Sequence, residues 1–374
     1  MPVTIRAFAK INVGLRIGAA RQDGFHELLT VYQTIGLHDV LQVSVARGTG
    51  IEIRCTDPRV PKDESNTCYR IVEKAMQSLG TRGRVLMEIE KRLPVQGGLG
   101  GASSNAVAAM LGLERALKKS LPVTEKLRIA AEVGSDLPLF LVGGAVLGVG
   151  RGEQVYPIPD IPATPCVVVT PEVGVSTPEA FAAWDRMCGA GAPAREADAR
   201  ESVVKQVQSR ESTGLRPAGQ PGAAVPTPAW TGTSARPHMD CGDPDKLTLS
   251  GASDRMNELG RVLSARLSEP YSGAPRSRRG RAENPLLELV RAGIANDFEQ
   301  VVFPEYPELR KGKRALEKAG AEYVSLSGSG STLYGLFASR ESAVRAAIRL
   351  RKSGWATQAT VTLPRAAYWK RMFG

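Results

Sequence analysis

Paired cysteines, long apolar runs and aromatic residues are all scarce in this 374-residue chain. Its cysteines (Cys55, Cys68, Cys166, Cys188 and Cys241) are odd in number and show no CxxC spacing. That argues against a disulfide framework and against a structural zinc site. The most apolar stretch, Leu137 to Val149, is short and broken by Gly143, Gly144 and Gly148. It is no membrane span, and no secretory signal pattern is present, so the reading is a cytoplasmic protein without a membrane partner. Aromatic residues make up 5% of the chain, and none interleaves with the basic clusters at Arg276–Arg281 and Arg345–Lys352. A stacking platform for single-stranded nucleic acid is therefore not expected. The net charge of +11 reads as a solvated basic surface, or as one that suits anionic small molecules.

What remains is an ordinary globular composition, with 42% hydrophobic and 23% charged residues, long enough for two domains. Ile5, Ala7, Ala9, Ile11, Val13, Leu15 and Ile17 alternate with a second set that includes Lys10 and Asn12. This predicts a strand with an apolar face and with Lys10 and Asn12 together on the other. A second strand is expected after the turn at Arg21–Glu27, a third at Val40–Ala46, and helices at Thr67–Leu79 and Ser104–Leu117. Strands and helices mix without a strict βαβ rhythm, which favours an α+β fold. From about 187 to 282, Gly, Pro, Ser, Ala and Arg dominate with little apolar periodicity. A disordered insertion is expected there, with a short helix around Asp254–Leu267 and ordered sequence from Asn284.

Four segments carry chemistry. Val85, Met87 and Ile89 alternate as a strand and lead into LPVQGGLGGASSNAV at 93–107. Strand, glycine loop and helix in that order bring backbone N–H groups around an anion, with Ser103-Ser104-Asn105 as the expected helix cap. No Gly-Lys-Ser/Thr closes the loop, so it is not a Walker A loop. Arg21-Gln-Asp-Gly-Phe-His26 sets Phe25 and His26 on a turn, able to stack on a base and bond its edge. Gly134-Ser-Asp-Leu-Pro138 puts Asp136 at the start of a helix, where an ionised carboxylate near Lys10 could take a hydroxyl proton. Ser325-Leu-Ser-Gly-Ser-Gly-Ser331 is a second loop able to approach a ligand closely. Each has an ordinary alternative: a glycine turn, a hairpin turn, an N-cap aspartate and a flexible hairpin.

Taken together and in order, these segments resemble the GHMP kinase superfamily. AFAKINVGLRI is similar to its first strand, RQDGFHEL to the RxDGYHEL segment of its cytidine-reading branch, and PVQGGLGGASSNA to its phosphate loop. GSDLPLFL and SLSGSGST resemble its catalytic-aspartate and MSGSGS segments. The resemblance covers about residues 3–186 and 284–340. It implies two α+β domains, 1–157 (ATP-binding) and 158–374, the second interrupted by the insertion, with ATP and substrate in the cleft between them. It implies ATP-dependent phosphorylation of the 2-hydroxyl of diphosphocytidyl-methylerythritol, with Mg²⁺ as the accompanying ion on ligands that the sequence leaves unknown. The roles it implies are catalytic for Lys10 and Asp136. ATP would be held by Pro94, Gly97, Gly98, Leu99, Gly100, Gly101, Ala102, Ser103 and Ser104. Asn12, Phe25, His26 and Phe181 would hold a small-molecule substrate bearing cytidine diphosphate. No nucleic-acid partner is implied, and the protein would be a monomer or weak homodimer. Gln96 and Ala102 stand where that loop commonly has glycine, and Phe25 replaces a tyrosine. A mevalonate- or homoserine-type kinase, or a silent binding protein on the same fold, is the alternative. RQDGFHE argues against the first pair, and the joint presence of Lys10, Asp136 and the glycine loop against the last.

Overall fold

The computed structural model describes residues 2–95, 97–189 and 295–373. The expected insertion beyond Gly189, its short helix and the helix at Asn284 lie outside the described residues, as does Gln96. One compact unit comprises Met1–Trp184 with Leu249–Gly374. A second, Asp185–Thr248, is described only as far as Gly189, at the end of the helix Thr177–Met187.

Strand β1 (Val3–Ala20) and strand β2 (His26–Ala46) form a long antiparallel pair joined by the Arg21–Phe25 turn. The two strands expected at and after the turn are thus one strand of 21 residues. Its period breaks at Ile35–Leu37, where Phe8 faces His38 but Lys10 faces Thr34. That bulge adds residues to β2 without ending it, which is why the sequence reads as two pieces. The second half of β2 pairs with β4 (Arg84–Glu90), which pairs in parallel with β3 (Gly50–Cys55). The first half pairs with β5 (Ala145–Val149), which pairs with β6 (Gln154–Pro157).

Helices α1 (Thr67–Ser78), α2 (Gly101–Leu117), α3 (Val123–Val133) and α4 (Leu137–Val142) share one apolar cluster with this first sheet. A second sheet runs β10-β7-β9-β8, made of β7 (Pro165–Val169), β8 (Tyr323–Leu326), β9 (Leu333–Leu336) and β10 (Thr357–Val361). Helix α5 (Thr177–Met187) follows β7 in the chain, and around the sheet lie α6 (Glu299–Glu305), α7 (Pro307–Lys318) and α8 (Arg340–Lys352). The α+β mixture expected from the sequence is observed.

The apolar face of β1 serves two cores. Ile5 and Ala7 pack in the cluster with α1–α4, whereas Ala9, Ile11 and Val13 pack with Cys166, Val168, Tyr334 and Leu336 of the second sheet. Lys10 and Asn12 lie where the strand passes from one core to the other, and both are buried. The last helix, α9 (Arg365–Met372), returns to the first cluster. There the Tyr368 hydroxyl donates to the Phe140 carbonyl (2.7 Å) and Trp369 Nε1 to the Val142 carbonyl (3.1 Å). These two donors satisfy carbonyls at the end of the short helix α4, where no further turn can do so.

Candidate active site

Lys10 is only 3% exposed, so its ammonium needs partners. It donates to Asn12 Oδ1 at 2.7 Å and stands 3.3 Å from Asp136 Oδ2. Asn12 Nδ2 in turn donates to Thr30 Oγ1 (2.8 Å), and that hydroxyl donates to the Gly14 carbonyl (2.8 Å). This string fixes the amide so that its oxygen, not its nitrogen, meets the ammonium. Asp136 occupies the N-cap position of α4, yet its side chain makes no capping bond. Its carboxylate faces Lys10 instead and keeps 34% exposure, so one edge of the ion pair is open to solvent. Tyr32, from β2, donates its hydroxyl to Asp136 Oδ1 at 3.1 Å.

The glycine loop reaches the same place. The Lys10 N–H donates to the Leu99 carbonyl (3.0 Å), and a Cβ on Gly100 would lie 2.9 Å from Phe140 and 3.1 Å from the Lys10 side chain. Gly100, at φ +68°, is the N-cap of α2 and offers no side-chain cap. The helix thus begins three residues earlier than expected, at Gly101, and Ser103-Ser104-Asn105 form its first turn rather than its cap. The amides of Gly101, Ala102 and Ser103 have no intrahelical acceptor, and the helix dipole adds positive potential there. Ala102 is exposed at this helix start, and its carbonyl accepts from Thr67 Oγ1 (3.1 Å). Pro94 packs on Gly97, where an added Cβ would meet the proline ring at 2.9 Å.

Two devices hold the loop. The first is Asp39, whose fully buried carboxylate accepts from Lys91 Nζ (2.6 Å), the Arg92 and Leu93 amides (2.7 Å each) and Asn105 Nδ2 (2.9 Å). It thereby ties the residues entering the loop to the helix that leaves it. The second is the hairpin between β8 and β9. Thr332 N–H donates to the Gly97 carbonyl (3.2 Å) and Ser327 Oγ to the Gly98 carbonyl (3.0 Å). Gly98 has φ +78°, and a Cβ there would fall 2.2 Å from the Ser327 carbonyl oxygen. Asn296 Nδ2 braces the hairpin through the Leu326 and Gly328 carbonyls. Glu299 braces it from the other side through Ser325 Oγ and the Leu326 amide. The Ser325–Ser331 segment is therefore a clamp on the glycine loop, not a free hairpin.

At the far end, Arg21 N–H donates to the Phe25 carbonyl (2.7 Å) and Asp23 accepts from the Phe25 amide, closing the turn. Phe25 is 50% exposed, with the Arg151 guanidinium 4.9 Å from its ring centre. His26 stacks on Phe181 of α5 (5.0 Å between centres, 13° between planes), and Phe181 meets Phe298 edge-on. The structure thus pairs His26 with Phe181 and Phe25 with Arg151. Among the described residues it does not make Phe25 and Phe181 ring partners. Sequence reasoning missed Tyr32, Asp39, Lys91, Asn105, Asn296 and Arg151 as parts of this site. The polar residues in otherwise apolar runs, Asp39 in HDVLQV and Asn296-Asp297 before FEQVV, were the available signal.

Matches to known proteins follow the same geography. The GHMP kinases N terminal domain matches residues 66–144 and the GHMP kinases C terminal domain residues 282–354. The chain is 32% identical over 342 residues to 4-diphosphocytidyl-2-C-methyl-D-erythritol kinase of Solibacter usitatus, covering 91% of this chain and 83% of that one. It is 28% identical to the protein of the same name from Geobacter sulfurreducens, covering 96% and 99%. A crystal structure of 4-(cytidine 5'-diphospho)-2C-methyl-D-erythritol kinase superposes with a TM-score of 0.61 at 25% identity, covering 96% of this chain and 98% of that one. A homoserine kinase from Cytophaga hutchinsonii shares the fold at 18% identity and a TM-score of 0.60, with 97% and 95% covered. With a buried lysine–aspartate pair facing a clamped glycine loop, and relatives matched along nearly their full length, this chain belongs to the 4-diphosphocytidyl-2-C-methyl-D-erythritol kinase family of the GHMP kinases.

Proposed function

We propose that this protein transfers the γ-phosphoryl group of ATP to the 2-hydroxyl of 4-diphosphocytidyl-2-C-methyl-D-erythritol, a step of the non-mevalonate route to isoprenoid precursors. The observation that carries the reading is the Lys10–Asp136 pair, 3.3 Å apart beside the uncapped start of α2. The ATP phosphates take the amides of Gly101, Ala102 and Ser103, since the Ser104 amide already donates to the Gly100 carbonyl (2.8 Å), with Pro94, Gly97, Gly98, Leu99 and Gly100 shaping the loop. Asp136 orients the acceptor hydroxyl and receives its proton as the new O–P bond forms and the β–γ bridging O–P bond breaks, releasing ADP. Lys10 stabilises the negative charge on the transferred group at the moment that charge is spread over its oxygens. The transition state is loose, so most of the acceleration comes from positioning and charge.

Ser104, whose Oγ is buried without a hydrogen-bond partner among the described residues, is the residue of this loop that would hold Mg²⁺. A hard cation that retains waters and binds few protein groups suits this donor set, and when bound it neutralises phosphate charge. The cytidine end falls to Phe25, His26 and Phe181, with Asn12 near the acceptor. The two domains divide at 157/158, with α9 returning to the first cluster. The protein acts as a monomer or weak homodimer in the cytoplasm; no helix among the described residues is long and apolar enough to cross a membrane.

The test offers the full-length protein ATP with this cytidine alcohol, mevalonate or homoserine in turn, and locates the phosphate by ³¹P NMR. Turnover confined to the cytidine alcohol is expected. Comparable turnover of mevalonate or homoserine would move the protein to a sibling kinase. Binding of both ligands without ADP release would make it a silent binder.

A further inference from the structure

Among the described residues, Tyr32 is the side chain that hydrogen-bonds the Asp136 carboxylate, and its geometry is over-determined. The residue is 2% exposed, and its hydroxyl donates to Asp136 Oδ1 at 3.1 Å while Lys10 stands 3.3 Å from Oδ2. The same ammonium lies 5.6 Å from the centre of the tyrosine ring. Each oxygen of the carboxylate is therefore addressed by a different group, one on β1 and one on β2. Rotating the carboxylate about its Cβ–Cγ bond breaks both interactions.

The ring itself has no room to drift. A Cβ on Gly148 would fall 2.5 Å from Tyr32 Cε2, and one on Gly152 would fall 2.4 Å from its hydroxyl oxygen. Glycine at both positions leaves the space that the phenol occupies. Burial, with the Asp136 and Glu153 carboxylates nearby, holds the phenol pKa well above its usual value near 10, so Tyr32 remains a donor at neutral pH.

We infer that Tyr32 is a positioning residue of the phosphoryl transfer, fixing the Asp136 carboxylate at the angle from which its exposed edge meets the acceptor hydroxyl. The inference rests on the reading of Asp136 as the group that receives the hydroxyl proton. Tyr32 touches neither substrate in this account; it acts only through Asp136. A small misorientation of a reacting group is enough to slow transfer, because the pre-set geometry supplies much of the acceleration.

The test is a double-mutant cycle on the full-length protein with ATP and the cytidine alcohol: Tyr32→Phe, Asp136→Asn and both together. Tyr32→Phe removes one hydroxyl and keeps the ring that fills the slot. We expect it to lower kcat about tenfold, as loss of a bond to a charged group does, with both KM values within about twofold. In the Asp136→Asn background the same change is expected to cost less than about twofold. An equal fold-loss in both backgrounds would overturn the inference and leave Asp136 untouched. So would a raised KM with kcat unchanged, or a Tyr32→Phe protein that fails to fold, since either makes the hydroxyl a structural bond only. Full activity in Asp136→Asn alone would instead remove the Asp136 reading, and this one with it.

Discussion

The proposed phosphate end of the site is tied by buried charge and backbone, whereas the proposed base-reading end is built of stacked rings, of which Phe25 is half exposed. At the first, Asp39 collects four donors with no exposure, and the Ser327–Thr332 hairpin bonds directly to the loop backbone. At the second, Phe25 is half exposed under Arg151, and His26 meets Phe181 through a face-to-face stack. The contrast fits the two tasks. A triphosphate is bound by fixed N–H groups that gain from being pre-set in a rigid frame. A base is bound by flat surfaces and edge contacts, where stacking tolerates small shifts. Stability and affinity should therefore separate between the two ends.

Asp39→Ala is the most damaging change expected. It leaves the Lys91 ammonium, 7% exposed, without its carboxylate and frees two backbone amides and Asn105. Removing one member of a buried pair costs about 3–5 kcal/mol, so denaturant unfolding should show a loss of that size and ATP binding should weaken with it. A change below about 1 kcal/mol would mean that the hub is not what holds the loop. Next comes Gly98→Ala, which sets a Cβ 2.2 Å from a carbonyl oxygen at a positive φ. Backbone must move on one side or the other, at a cost of about 1–3 kcal/mol, and the KM for ATP should rise more than that for the alcohol. The reverse order of KM changes would place the loop at the wrong ligand.

Phe25→Ala and His26→Ala sharpen the comparison from the other side. Phe25 is exposed enough that its loss should shift stability by no more than about 0.5 kcal/mol. Loss of one stack, worth about 1–3 kcal/mol in single-strand binders, should still raise the KM for the cytidine alcohol roughly tenfold and leave that for ATP alone. His26, packed on Phe181, should lose somewhat more stability with the same selectivity. An equal rise for ATP in either variant would reassign the turn to nucleotide binding or to the fold.

What the sequence made legible divides along the same line. Lys10, Asn12, Asp136 and the glycines sit in short motifs whose spacing is local, and the structure brings them together. Strand β4 and helix α1 follow local periodicity and caps, with Asn66 capping α1 through the Cys68 amide. The start of α2 was misplaced because Ser-Ser-Asn is capping chemistry, yet the left-handed Gly100 ends the loop three residues sooner. Strand β2 read as two because its bulge breaks the alternation. The hubs are legible only as polar residues in apolar runs, and their partners are not. Asp39 meets partners 52 to 66 residues away and Tyr32 meets Asp136 across 104, so only the pairing of β1, β2, β4 and α4 discloses them.

The measurement that bears most directly on the account is single-turnover phosphoryl transfer by Asp136→Asn, with ATP affinity measured on the same preparation. The carboxylate makes no capping bond, and an amide keeps its shape, so the fold and ATP binding should be retained. Transfer to the cytidine alcohol should fall by about 10²–10⁴-fold, the usual size of a general-base contribution. A loss smaller than about tenfold with ATP binding intact would contradict the assignment, leaving the Lys10–Asp136 pair a structural ion pair at the edge of the loop.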